Sequence, residues 1–82
     1  MDKRTIKIVC FAGLRKYFGG ETTVMVEPDV SYSSVIDELA LQNPEAKEIL
    51  TSSRIAVNEE FVKLGDTLNA ETLFLIPPSS GG

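Results

Sequence analysis

Ser31-Tyr32-Ser33-Ser34-Val35-Ile36-Asp37-Glu38-Leu39-Ala40-Leu41-Gln42-Asn43-Pro44 is the stretch on which the fold turns. Tyr32, Val35, Ile36, Leu39 and Ala40 recur at the spacing of one apolar helix face. Ser31 stands where a helix takes its N-cap, with Ser33 and Ser34 in the first turn. Asn43-Pro44 ends the helix, because a residue before proline is pushed away from helical angles. Pro44 can then open a short second helix through Leu50, a position at which proline is tolerated.

Strand patterns lie on both sides of this helix. Before it, Thr5-Ile6-Lys7-Ile8-Val9-Cys10-Phe11 alternates with period two. Ile6, Ile8 and Cys10 share one face, and Lys7, Val9 and Phe11 share the other. Ala12 to Phe18 reads as a turn or short helix closed by Gly19-Gly20. Thr22-Thr23-Val24-Met25-Val26 is a second, β-branched strand, so the pair predicts a hairpin with a wide connection. After the helix, Arg54-Ile55-Ala56-Val57 is a third strand. Asn58-Glu59-Glu60 turns it into a brief strand at Phe61-Val62, and Leu73-Phe74-Leu75-Ile76 is the last. Strands before and after one long helix predict an α+β domain with one sheet packed on that helix. A β-grasp, or ubiquitin-like, mixed sheet of about five strands satisfies this order. The expected organisation is a domain over 1–76 and an extended tail over 77–82.

Composition narrows the function. Eighty-two residues suit one compact domain, and 43% apolar content suits a globular one. No apolar run reaches the ~18–20 residues of a membrane span, and the N-terminus lacks the apolar stretch of a signal peptide. The expected address is cytoplasmic. One cysteine, Cys10, excludes an internal disulfide, and the absence of histidine excludes Ser-His and Cys-His catalysis within the chain. No metal site and no bound cofactor are expected. A net charge of −4 disfavours nucleic acid and anionic membranes and suits a basic protein surface, although it also serves solubility.

Several residues have bland readings. Cys10, on the inward face, reads as a small core residue. Gly19-Gly20 lacks the lysine and spacing of a phosphate loop and reads as a turn. Glu59-Glu60 reads as a solvated hairpin tip. More informative is the last strand, which is apolar on both faces although one helix covers only one. Phe11, Phe61 and Ile76 are therefore expected to form an exposed apolar patch, unless a loop covers them.

Beyond Ile76 the sequence reads Pro77-Pro78-Ser79-Ser80-Gly81-Gly82. The prolines favour an extended, stiff conformation, and serine with glycine predicts a thin, flexible end. Without Cβ, Gly81-Gly82 can enter a narrow channel of another protein. Glycines at a terminus can also mark only an idle end.

Ile76-Pro77-Pro78-Ser79-Ser80-Gly81-Gly82 resembles the Pro-Pro-x-Ser/Thr-Gly-Gly ending of the molybdopterin synthase small subunit, the MoaD family. Phe11-Ala12-Gly13-Leu14-Arg15, Ala56-Val57-Asn58 and Phe61-Val62-Lys63-Leu64-Gly65-Asp66-Thr67-Leu68 are similar to that family in matching order. Two departures are Asn69-Ala70-Glu71, where the family often has Asp-Gly-Asp, and Ser79, where an aliphatic residue is common. The resemblance implies a sulfur carrier whose Gly82 carboxylate is adenylated by an ATP-dependent, ubiquitin-activating-like adenylyltransferase and then converted to a thiocarboxylate. It also implies docking of the Phe11, Phe61 and Ile76 patch, with Arg15 at its rim, on the large catalytic subunit of molybdopterin synthase in a heterotetramer. That subunit would supply the acid–base groups, so the chain is not an enzyme on its own. Arg15 can equally serve only to solvate the surface. Carriers for thiamine synthesis or tRNA thiolation, ubiquitin-like modifiers, and an interaction module with an inert tail stand as alternatives.

Overall fold

The computed structural model describes residues 3–78; Ser79, Ser80, Gly81 and Gly82 of the expected tail lie outside the described residues. Strand β1 (Arg4–Cys10) pairs antiparallel with β2 (Glu21–Val26), placing Ile6 opposite Val24. On its other side β1 runs parallel to β5 (Thr72–Ile76), with Ile8 opposite Leu73 and Cys10 opposite Leu75. Strand β3 (Arg54–Val57) pairs antiparallel with β5, and the two-residue β4 (Glu60–Phe61) pairs antiparallel with β3. The sheet order is β2-β1-β5-β3-β4, which leaves β5 in the middle. This is the expected β-grasp arrangement.

Alternation decides which face is covered. Ile6, Ile8 and Cys10 of β1, Val24 and Val26 of β2, Ile55 of β3 and Leu73 and Leu75 of β5 are all buried. They meet Tyr32, Val35 and Leu39 of helix α2 (Tyr32–Gln42) in one core. Ile36 and Ala40 lie at the flank of the helix face and are only partly buried. Two short helices complete the domain. Helix α1 (Arg15–Phe18) follows a 3-10 turn at Ala12–Leu14 and ends at Gly19, whose φ of 76° is the left-handed conformation that glycine adopts without steric cost. Helix α3 (Lys47–Thr51) follows a 3-10 turn at Pro44–Ala46, where the Asn43 side chain accepts from the Glu45 N–H. Buried Ser53 donates its hydroxyl to the Ile49 carbonyl, 2.7 Å away, and so costs the interior no orphan polar group.

Three local expectations change. Ser31 is the residue before α2, but its hydroxyl bonds Ser33 Oγ and not a backbone N–H. The first amides of the helix, Tyr32 and Ser33, donate instead to the Asp66 and Leu64 carbonyls of a distant loop. The β3–β4 connection uses only Asn58 and Glu59, both with positive φ (52° and 69°), so β4 begins at Glu60, one residue earlier than read. Strand β1 ends at Cys10, and Phe11 opens the following turn. At the outer edge of the sheet, Gln42 Nε2 of α2 donates to the Thr23 carbonyl of β2 at 2.9 Å, occupying a group that would otherwise invite strand addition.

Candidate functional site

Among the described residues no helix lies over the face of the sheet away from α2. There the residues alternating with the core gather around one groove of about 270 Å³, lined by Phe11, Ala56, Glu59, Phe61, Phe74 and Ile76. Register explains the gathering. Ala56 of β3 is opposite Phe74 of β5 on one side and Phe61 of β4 on the other, so the small residue floors a gap between two rings. Phe11, just past the end of β1, tilts against Phe74 with centroids 6.0 Å apart and planes at 46°, a favourable edge-inclined geometry. Phe61 is 57% exposed and Phe11 37%, large values for aromatic rings in a folded domain.

Charges frame the apolar surface. Arg54 is opposite Ile76 in the β3–β5 ladder, and its guanidinium carbon lies 5.1 Å from the Phe61 ring centroid, within cation–π range. At the other end of β3, the Asn58-Glu59 turn brings an exposed acidic residue to the groove wall. Pro77 and Pro78 follow Ile76 directly, so the chain leaves the sheet at the groove.

The structure thus brings Phe11, Phe61 and Ile76 together on the uncovered face. Arg15 does not line the groove; its Nε donates to the Cys10 carbonyl at 3.3 Å, beside Phe11 in the chain, and the side chain is exposed. Sequence reading had not assigned Phe74, Ala56, Glu59 or Arg54 to the site. For Phe74 the signal was present, since it alternates with core-facing Leu73 and Leu75. For the others only the strand register could show it. Cys10 is buried in the core, where desolvation pushes its thiol pKa up while the Arg15 charge acts to lower it. Pro77 is partly buried and Pro78 exposed, whereas Ser79, Ser80, Gly81 and Gly82 lie outside the described residues. Among the described residues no helix is long and apolar enough to cross a membrane.

Comparison with known proteins places this architecture. The chain is similar to SAMP1 from Haloferax volcanii, with 25% identity, a TM-score of 0.78, and 95% of this chain and 99% of that chain covered. A protein described as molybdopterin converting factor, subunit 1, from Pyrococcus furiosus has 21% identity and a TM-score of 0.78, over 93% of this chain and 99% of that one. Ubiquitin of Caldiarchaeum subterraneum has 21% identity and a TM-score of 0.67, over 98% and 99% of the two chains. No curated protein matches the sequence significantly. The signature of the ThiS family matches residues 8–82, from the middle of β1 to the end of the sequence. The chain belongs to the ThiS family of small ubiquitin-like sulfur carriers.

Proposed function

We propose that this carrier is the small subunit of molybdopterin synthase and that the Gly82 carboxylate is its working group. A carboxylate is a poor electrophile, because its leaving group would be oxide. Attack of the Gly82 carboxylate on the α-phosphate of ATP, in an adenylyltransferase, releases pyrophosphate and gives an acyl-adenylate. A sulfide-equivalent donor then displaces AMP and leaves the Gly82 thiocarboxylate, a soft nucleophile ionised at neutral pH. Delivered to a pterin precursor in the large subunit, that sulfur enters the dithiolene that holds molybdenum. The carrier positions a nucleophile, and the acid–base groups belong to the larger subunit. ATP is consumed by the activating enzyme, and no cofactor is assigned to this chain.

The observation that carries this reading is continuity: the apolar groove reaches Ile76, and the next residues, Pro77-Pro78, begin the Pro-Pro-Ser-Ser-Gly-Gly ending. Docking the groove on a partner would direct the tail into that partner. The test is reconstitution with the activating enzyme, ATP, a sulfur donor and the large subunit. Replacement of one oxygen by sulfur on the C-terminal fragment, followed by dithiolene formation, is the expected result; a loaded carrier that gives no product refutes the synthase role.

The likeness to small archaeal modifier protein 1, at a TM-score of 0.78, favours a second reading, attachment of the activated Gly82 to lysine amines of other proteins. Isopeptide-linked Gly-Gly remnants in digests of cells expressing the chain would select it.

A further inference from the structure

Among the described residues, five of the six around the groove are apolar; the sixth, Glu59, is the one ionisable group in its wall. Its place is fixed by the hairpin. Val57 pairs with Glu60 and Ala56 with Phe61, so Asn58 and Glu59 alone close the turn and their backbones cannot drift. Glu59 is exposed, and the ion pair found among the described residues is Lys7–Glu21, between β1 and β2 and away from β3 and β4, at 3.5 Å. At the other end of β3, Arg54 rests over Phe61 and faces Ile76. Three residue steps of strand separate Arg54 from Val57, about 10 Å along the axis. Opposite charges thus flank the groove, Glu59 in its wall at the turn and Arg54 beside it, over Phe61 and opposite Ile76.

From this charge arrangement we infer that the groove takes an apolar segment of the large subunit that carries a Lys or Arg against Glu59 and an Asp or Glu toward Arg54. The inference rests on the reading of this face as the docking face. Opposite rim charges fix which way that segment lies, because the reversed orientation sets like charges against each other at both ends. Orientation matters here because the tail leaves the sheet at the Arg54 end. A segment seated backwards would aim the tail away from the partner's site.

The test is binding of this chain to the large subunit of molybdopterin synthase, measured at low and at high salt. The chains compared are the wild type, Phe61→Asp, Glu59→Gly, Glu59→Lys and Arg54→Glu. Glu59→Lys should weaken binding about tenfold at low salt, mostly through slower association, and the deficit should shrink as salt screens the rim. Glu59→Gly should lose about fivefold or less. Glycine suits the positive φ of 69° at this position, so its unfolding midpoint should be no lower than the wild type's, which separates lost recognition from lost folding. Carbodiimide treatment of the complex should link Glu59 to a partner lysine where the cation is one. Equal affinity and equal salt dependence of wild type, Glu59→Lys and Arg54→Glu would overturn the inference, while loss of binding in Phe61→Asp would leave the docking face standing. If the wild type fails to bind, or Phe61→Asp binds as well as wild type, the docking reading falls and this inference with it.

Discussion

Replacing Phe61 with Asp separates a docking surface from a piece of core. With 57% of Phe61 exposed, less than half of its surface is buried, on the order of 90 Å² for an aromatic side chain. At about 25 cal/mol per Å² the folded state loses at most about 3 kcal/mol, including what the Arg54 contact adds. A domain of 82 residues has a stability of about 4–12 kcal/mol, so the variant stays folded. Its unfolding entropy, about 0.17 kcal/mol per kelvin, turns that loss into a fall in Tm of about 18 °C or less. Binding should respond more strongly. An aromatic anchor at the centre of an interface contributes about 2 kcal/mol or more, and a carboxylate left against apolar partner surface adds to the deficit. Affinity for the large subunit should fall at least about thirtyfold. Circular dichroism on heating gives the first quantity and titration calorimetry the second. Unaltered affinity would refute the docking role of the groove. Complete unfolding would refute the accounting and make Phe61 a core residue.

Leu39→Ala, at a fully buried position of α2, should cost about 2–5 kcal/mol and lower Tm by about 12–30 °C, read by thermal or urea unfolding. Deleting Gly82 should abolish sulfur loading while leaving folding and partner binding intact, since one residue retracts the end by about 3.3–3.6 Å and reaction needs atoms within about 3–3.5 Å. Mass spectrometry of the C-terminal fragment after reconstitution decides it, and normal loading of the truncated chain would remove the tail's proposed role. Cys10 should resist iodoacetamide until the domain unfolds, because burial disfavours its thiolate. Its folded pKa is raised, so its contribution to stability is complete below the free thiol value, about 8.5, and is lost as pH rises through the folded value. Wild type should therefore lose stability relative to Cys10→Ala above about pH 8.5, measured by denaturant unfolding across pH.

What the sequence made legible was whatever depends on local period. The alternation of Ile6, Ile8 and Cys10, and the helical spacing of Tyr32, Val35 and Leu39, place each residue on the face it occupies. Long-range partners were not legible. The amides of Tyr32 and Ser33 find carbonyls some thirty residues away in the loop at Leu64 and Asp66, and nothing near Ser31 announces them. The turn after β3 was read one residue too long because glycine, the usual mark of positive φ, is absent; Asn58 and Glu59 adopt that conformation without it. The same hidden turn brings Glu59 to the groove. Arg54 was equally hidden, since only the β3–β5 register sets it opposite Ile76. The terminal glycines, by contrast, were readable only as sequence, from the Pro-Pro-x-x-Gly-Gly spacing.

Under the proposed docking, any pull on the tail is borne by the sheet, and the position of β5 determines how. The tail continues from the middle strand of the sheet, held by β1 on one side and by β3 on the other. A pull along the tail is directed along β5, across hydrogen bonds that stand roughly perpendicular to it toward β3 and slanted toward β1. Both ladders are loaded in shear, and their bonds must yield together. Had the tail continued from an edge strand and been pulled sideways, the bonds would open one after another. The sheet can therefore act as a mechanical anchor for whatever follows Ile76 in the chain.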